Sequence, residues 1–582
     1  MGMQLDHLLN ESEMLFYDIE VYAHDAFVVF KDIEQNHVAT FHNDFTGLLD
    51  VIRGKTLVAF NNYHYDDFIL TYMIEQKSIK LIKELNDTII RGERPAVRIS
   101  REITSLDVFQ QIDISMPSLK RIEANLGKNI METSVGFDID RPLTTDELAR
   151  EMAYCAYDVD NTVEVFKIRK ASYFENKIGL LKMLPDGKRE RALRWNTTTI
   201  SANVLMEKPE PKWADIRLGE MDADGEFDMF QKVPREVVHF WREKVPQNVL
   251  EPDTKGKYTV EAFGCKIDFG FGGLHGVTLG SQKRFEGVIL LDVASLYPNI
   301  IIKLNALGKS TEQYAQILAE RMRIKHTDHT RSESLKLLIN SVYGLLRNQY
   351  SLLYNPKAAI SVCLYGQIAL YDLCERLAPT CRLVNINTDG VAFTSDTDEW
   401  KDIWKEWEAD YGFTLEDEGY DLFIQKDVNN YIAVATDGYI TAKGGDVRRF
   451  GKDSPFNNNS LRIVDIALVD HLINGADVLD TILEHLDQPH LFQMVLQAGR
   501  TYKGTFDEQG KMYQRVNRIF PVKRDGVRLF KQYVDGRRNL FPNAPDQMLV
   551  WNDEVDKLDD FGKRIDINFY YTLINETLER WV

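Results

Sequence analysis

The sequence predicts a multidomain α/β protein. Three observations carry that expectation: 582 residues exceed what one ordinary domain holds, short β-rich runs alternate with helical periodicity through about the first 170 residues, and a second strand-then-helix series opens after Gly270. Hydrophobic residues at 44% and charged residues at 27% exclude a disordered or membrane-embedded class. The longest apolar stretch, Ala358 to Leu377, is broken by Gln367, Asp372 and Glu375, so no spanning helix and no membrane partner is expected.

Taken in order, Met1 to Asp6 carries neither a signal-peptide nor a myristoylation pattern, and a cytoplasmic location is expected. Leu15 to Val21, Ala26 to Phe30 and Thr56 to Phe60 read as strands, and Glu147 to Lys170 as one long helix. A boundary falls near residue 175, followed by polar, Gly/Pro-bearing connector sequence from Lys177 to Glu251. The glycine-rich run Phe271-Gly272-Gly273-Leu274-His275-Gly276 leads into a buried strand, Gly287 to Asp292. Helical patterns follow at Thr311 to Lys325, Ser332 to Leu346 and Lys357 to Leu377, and a strand pair closes tightly around Asn385 to Gly390. The remainder, from about Phe450, reads as mixed and mostly helical, and no internal repeat is visible. Cys155, Cys265, Cys363, Cys374 and Cys381 form no CxxC pair, which argues against disulfide, zinc or iron–sulfur modules and for buried small hydrophobes.

The net charge of −19 weighs against a nucleic-acid partner, but the distribution does not. Between Lys511 and Arg538 nine basic residues face two acidic ones, net +7 in 28 residues, interleaved with Tyr513, Phe520, Phe530 and Tyr533. Lys511, Arg515, Arg518, Lys523, Arg524 and Arg528 are therefore candidate DNA contacts; a continuous solvated basic face is the other reading.

Two carboxylate sets carry the chemistry. Asp18 and Glu20 stand two apart on a predicted strand, so both leave one face. Asn62-x-x-Tyr65-Asp66 and Tyr154-x-x-x-Asp158 follow in the same domain, the second with phenol and carboxylate on one helical face. Four acids and a tyrosine converging suit phosphodiester hydrolysis with two hard cations about 3.5–4 Å apart; ordinary surface acids are the alternative. In the second set, Asp292-Val293-Ala294-Ser295-Leu296-Tyr297-Pro298 ends a buried strand, where an unpaired Asp is costly unless it meets cations or donors. Lys336-x-x-x-Asn340-Ser341-Val342-Tyr343-Gly344 follows, then Asn387-Thr388-Asp389-Gly390 in the hairpin. Arg321-x-x-x-Lys325 and Lys336-x-x-x-Asn340 each present two residues on one helical face, suited to a triphosphate, with a solvated face as the alternative for Arg321 and Lys325. Tyr297 and Tyr343, taken singly, could equally be core packing.

The first set, in its order, resembles the DEDD proofreading exonucleases of the tyrosine variant, and the second resembles motifs A, B and C of family B DNA polymerases. The resemblance covers most of residues 10 to 450. It implies a ribonuclease H-like 3′→5′ exonuclease domain (1–175), a connector and start of palm (176–280), palm with motif A (281–305), short fingers with motif B (306–349), palm with motif C (350–450), and a thumb and C-terminal region (451–582). It implies Asp18, Glu20, Asp66 and Asp158 as metal-site residues, Tyr154 orienting the attacking water and Asn62 near the substrate strand. In the polymerase it implies Asp292, Val293 and Asp389 at the metals, Arg321, Lys325, Lys336 and Asn340 around the nucleotide phosphates, Tyr297 as the sugar gate and Tyr343 in the base-pair pocket. Gly272-Gly273 occupies the place of the family's YxGG element without a tyrosine in register, and Tyr431 and Lys443 resemble the palm residues that hold the primer terminus.

The resemblance also implies Mg²⁺, two ions per site with Mn²⁺ possible, and primer-template DNA and dNTPs as ligands. Helicase, primase, single-strand-binding protein or a clamp are the partners it suggests, in replication of a phage or mobile element. Motif C usually reads DTDS; Asn387 here supplies no charge, so lower metal affinity or an altered metal preference is expected. The 44 residues from Asp292 to Lys336 and 49 from Asn340 to Asp389 leave no room for the insertions of protein-primed phage polymerases. Nucleic-acid priming without a terminal protein, and weak unaided strand displacement, are the expectations. The extra N-terminal domain of many larger relatives is not expected, because Asp18 stands so near the start.

Overall fold

The computed structural model describes residues 5–133, 135–137, 139–209, 229–251, 256–452 and 454–581. The start of the N-terminal segment and part of the Lys177 to Glu251 connector lie outside the described residues. The chain is a mixed α/β, multidomain protein that separates into two compact units. The first comprises Met1–Asn196, Asp453–Ile463 and Ile482–Tyr570; the second comprises Thr197–Lys452, Val464–Thr481 and Tyr571–Val582. Among the described residues no helix is long and apolar enough to cross a membrane. All five cysteines are free and buried.

The first unit is built on a five-stranded sheet of β1 (Met14–Val21), β2 (Ala26–Lys31), β3 (His37–His42), β4 (Thr56–Ala59) and β5 (Ser105–Asp107), in the order β3-β2-β1-β4-β5. β1 is antiparallel to β2 and parallel to β4. The period of two along β1 sorts its residues. Leu15, Tyr17, Ile19 and Val21 join a core with Ile69, Leu70 and Met73 of helix α1 (Asp66–Ile74). Phe16 points the other way and meets Phe166 of the long helix α3 (Thr145–Arg169) at 5.4 Å between ring centroids. Asp18 and Glu20 share the Phe16 face. Helix α3 spans Thr145–Arg169 and opens with a capping box, in which Thr144 accepts from the Glu147 backbone and Glu147 from that of Thr144. The shorter α2 (Leu119–Asn125) is capped by the Ser118 side chain.

The C-terminal part of this unit departs from the expectation of a mostly helical remainder. Met494–Gln497, Val516–Pro521 and Met548–Val550 form an antiparallel three-stranded sheet, and Met512–Tyr513, Gly504–Asp507, Leu529–Gln532 and Arg538–Leu540 form a four-stranded one. The strands are two to six residues long, too short for their periodicity to stand out from a basic, aromatic-rich tract. The reversals at Asp525-Gly526 and Asp535-Gly536 were the legible signs of turns.

The second unit carries a nine-stranded antiparallel sheet. Its strands are β6 (Lys257–Ala262), β7 (Cys265–Gly270), β8 (Leu274–Thr278), β9 (Arg284–Val293), β10 (Cys381–Asn387), β11 (Gly390–Ser395), β12 (Leu415–Asp427), β13 (Asn430–Ala435) and β14 (Ile440–Lys443), ordered β14-β13-β12-β9-β11-β10-β8-β7-β6. β9 runs into α4 (Leu296–Lys303). An antiparallel helical hairpin follows, α5 (Thr311–Ile324) and α6 (His329–Arg347), its register fixed by Tyr314 Oη donating to the Ile339 carbonyl at 3.1 Å and a Glu320–Arg331 ion pair at 2.7 Å. Helix α7 (Pro356–Leu377) is buried along nearly its whole length, which explains its near-continuous apolar run.

Candidate active sites

In the first unit the structure brings Asp18, Glu20, Asp66 and Asp158 into one electrostatic cluster. β1 supplies Asp18 and Glu20 on the α3 face, α3 supplies Asp158, and Asp66 opens α1, where a carboxylate is favoured by the helix dipole. Cys155 of α3 donates to the Asp18 carbonyl at 3.4 Å, holding the helix against the strand. Burial, then the nearby Asp158, pushes the Asp18 carboxyl up to about 7. Burial, then Asp18 and Asp158, raises Glu20 well above the carboxylate range, and burial, then Asp18 and Asp67, does the same to Asp66. Like charges crowded in low dielectric are the physical cause.

Lys120 of α2 pairs with Asp158 and with Glu123 at 3.1 Å, and its ammonium lies 4.5 Å from the centre of the Tyr154 ring. Burial raises Asp158, and Lys120 pulls it back toward ionisation. Sequence reasoning missed Lys120 because it lies 38 residues from Asp158 in a helix with no motif of its own.

Asn62 is placed differently from the expectation of a substrate contact. It is fully buried, and its amide donates to Asp67 Oδ1 at 3.1 Å. Asp67 is a hub: Tyr17 Oη donates to it at 2.5 Å, Ser105 Oγ at 2.7 Å and Arg194 at 2.5 Å. The hub fixes the loop between β4 and α1 and so the direction in which Asp66 leaves it.

In the second unit the strand end and the hairpin meet as the motif spacing implied. β9 pairs with β11 so that Asp292 lies opposite Gly390, and the Val293 amide donates to the Asp389 carbonyl at 2.8 Å. A Cβ on Gly390 would approach Asp292 Oδ1 to 3.0 Å, so this position favours glycine. Thr388 sits in the turn at φ +52°, an uncommon value for a β-branched residue, and is held by its amide donating to the Leu274 carbonyl at 2.8 Å. Burial, then Asp389 and Glu416, pushes Asp292 up to about 7. Glu416 lies directly across from Asp292 on β12, a third carboxylate that only this register reveals. Burial would lower Lys443, but Tyr431, Asp389 and Asp292 outweigh it and hold it above its ordinary value. Lys443 pairs across strands with Tyr431, its ammonium 5.5 Å from the ring centre.

Tyr297 and Tyr343 come together, ring centroids 4.6 Å apart, with Tyr297 Oη donating to the Gly272 carbonyl at 2.9 Å. Lys336 and Asn340 lie on α6, Lys336 beside Glu333 at 3.3 Å, while Arg321 and Lys325 stand at the far end of α5 toward the hairpin tip. Arg321 is half-buried, its Nε without a partner among the described residues.

The basic tract divides. Lys511, Lys523 and Arg524 are exposed. Arg528 pairs with Asp546 at 2.8 Å, and Arg515 donates to the carbonyls of Gly499, Tyr502 and Lys503. Arg518 is not a DNA contact: it is fully buried and spends its donors on Gln493 and on backbone carbonyls.

Among the described residues no group of three or more His, Cys, Asp or Glu side chains is arranged to hold a metal ion. Both acid sets offer carboxylate oxygens, the donor type a hard divalent cation takes, held above their ordinary range by burial first and by neighbouring acids second.

No protein family matches the sequence, and no curated protein does. Among solved structures, the chain is similar to the family B DNA polymerase from the hyperthermophilic archaeon Pyrobaculum calidifontis at 13% identity and a TM-score of 0.44, covering 98% of this chain and 78% of that one.

Proposed function

We propose that this chain is a template-directed DNA polymerase of the family B kind with a 3′→5′ proofreading exonuclease, acting in replication of a phage or mobile element. The observation that carries the reading is the β9–β11 register, which sets Asp292 at a strand end beside Asp389 in a strained turn. Tyr297 and Tyr343 beside it suit a nucleotide pocket, and the Asp18, Glu20, Asp66 and Asp158 cluster in the other unit suits phosphodiester hydrolysis.

Asp292, the Val293 carbonyl and Asp389 would hold Mg²⁺ in the polymerase site, and Asp18, Glu20, Asp66 and Asp158 in the nuclease site; bound there, the ions supply Lewis-acid stabilisation of attacking and leaving oxygens. The chain's own residues do the rest. Lys336, with Arg321 and Lys325, meets the triphosphate, and Asn340 lines its path. Tyr297 packs under the sugar and excludes a 2′-hydroxyl, so dNTPs are the substrates. Tyr343 shapes the pocket around the nascent pair. Tyr431 and Lys443 hold the primer terminus, Lys443 positively charged beside Asp292 and Asp389. In the nuclease, Tyr154 orients water while Lys120 pairs with Asp158. Lys511, Lys523 and Arg524 bear on duplex phosphates. Priming is from nucleic acid, with weak strand displacement unless a helicase or clamp assists.

The test is primer extension on a recessed 5′-labelled duplex with Mg²⁺, with and without dNTPs, beside Asp292→Ala and Asp18→Ala. Extension with dNTPs and shortening without them, each variant losing one activity, is the expected result. Shortening that depends on Asp18 without any extension would make the chain a nuclease that merely holds DNA with its second unit.

A further inference from the structure

Arg518 stands in the segment read from sequence as a DNA grip, yet it is fully buried. Its guanidinium donates to Gln493 Oε1 at 2.8 Å, to the Asp553 carbonyl at 2.5 Å, and to the Ala124 and Lys128 carbonyls at 3.1 and 2.8 Å. Ala124 and Lys128 bracket the C-terminal end of α2, where helix carbonyls lack intrahelical partners. A guanidinium is suited to this because its donors form a rigid planar fork.

From that point an unbroken set of bonds runs to the acid cluster. Lys128 Nζ donates to Asn161 Oδ1 at 3.3 Å, Asn161 Nδ2 donates to Glu123 Oε1 at 3.0 Å, and Glu123 shares Lys120 with Asp158. A second tie lies alongside: the Glu132 carboxylate accepts from the amides of Arg515 and Val516 at 2.8 and 2.9 Å. The three-stranded sheet is thus fastened to the helix whose lysine pairs with Asp158. α2 spans only Leu119–Asn125, under two turns, and cannot hold its own direction unaided.

We infer that Arg518 is a positioning residue of the hydrolytic site: it fixes α2 so that Lys120 stays on Asp158. The inference rests on the nuclease reading above. It assigns to the C-terminal sheet a role in proofreading chemistry that is separate from gripping DNA.

The test compares wild type, Arg518→Gln, Arg518→Lys, Lys120→Met and the double variant Arg518→Gln/Lys120→Met in single-turnover degradation of a saturating single-stranded oligonucleotide with Mg²⁺. Binding of the same oligonucleotide is read by fluorescence anisotropy in Ca²⁺. Arg518→Gln is expected to slow degradation about ten- to a hundredfold, the scale of a displaced catalytic group, with binding unchanged and Arg518→Lys recovering part of the rate. In the Lys120→Met background the same substitution should cost less than about twofold, because coupled residues do not add. Should Arg518→Gln fail to fold, Glu132→Gln, which weakens the second tie, must show the same non-additivity. Active wild type with additive losses overturns the inference alone; an inactive wild type overturns the nuclease reading and the inference with it.

Discussion

Substituting Asp18 by Asn should make the metal-free protein more stable at pH 8. In the folded chain burial and Asp158 raise the Asp18 carboxyl from 3.8 to about 7. Between those values the folded chain holds a proton that the unfolded chain has released, so stability falls as pH rises through the window and the penalty is complete above it. Roughly three pKa units at 1.36 kcal/mol each set a ceiling of about 4 kcal/mol. Asp18 retains some solvent contact and shares its charge with three other acids, which brings the working figure to about 2–4 kcal/mol. Asn is neutral throughout and removes the term. Thermal unfolding in EDTA should therefore show Asp18→Asn melting about 4–8 °C higher than wild type at pH 8, at roughly 2 °C per kcal/mol for a unit of this size. The gap should close at pH 4, where wild-type Asp18 is protonated. Adding Mg²⁺ at pH 8 should raise wild type more than the variant. Equal melting at pH 8, or a less stable variant, would refute the view that these carboxylates repel one another in the metal-free state.

Four further outcomes are expected. Gly273→Ala should lower primer extension about a hundredfold while leaving single-strand degradation intact, because a Cβ there would approach Thr388 Oγ1 to 2.9 Å at φ +157° and push the turn that carries Asp389; parallel assays of the two activities decide it. Arg194→Gln strips a charged partner from the fully buried Asp67 and should cost about 3 kcal/mol in urea unfolding, the low end for a broken buried pair because three hydrogen bonds to Asp67 remain. Asn387→Asp should lower the Mg²⁺ concentration needed for half-maximal extension; an unchanged or higher requirement would count against a missing charge in this turn. Lys523→Ala with Arg524→Ala should flatten the slope of log affinity for duplex DNA against log salt by about two, near one per lost phosphate contact; an unaltered slope would remove both from the DNA track.

What could be read from sequence was what depends on near neighbours. The Asp18/Glu20 pair, the strand ending at Asp292 and the hairpin at Asp389 follow from a period of two and a tight turn, and Tyr154/Asp158 from a helical period, so each stands where its local pattern put it. What escaped depends on partners far along the chain. Nothing near Lys120 announces Asp158, and Asp67 looks like a duplicate of Asp66 until Tyr17, Ser105 and Arg194 converge on it. Glu416 becomes part of the Asp292 site only through the β12–β9 register. Arg518 shows the limit from the other side: a basic residue in a basic tract is read as surface, and only its partners 390 and 394 residues away reveal a core residue.

The first unit is assembled from segments at opposite ends of the chain, and this has a consequence for biogenesis. When α2 leaves the ribosome, the arginine that satisfies its last carbonyls is still 390 residues from being made. At about 5–20 residues per second that interval is roughly 20–80 s. Through it the nascent N-terminal segment carries crowded acids and a short helix without its far anchor, while Thr197–Lys452 and Val464–Thr481 of the second unit are synthesised. A ribosome stalled before residue 518 would therefore display the acid cluster of the first unit without the sheet that anchors α2.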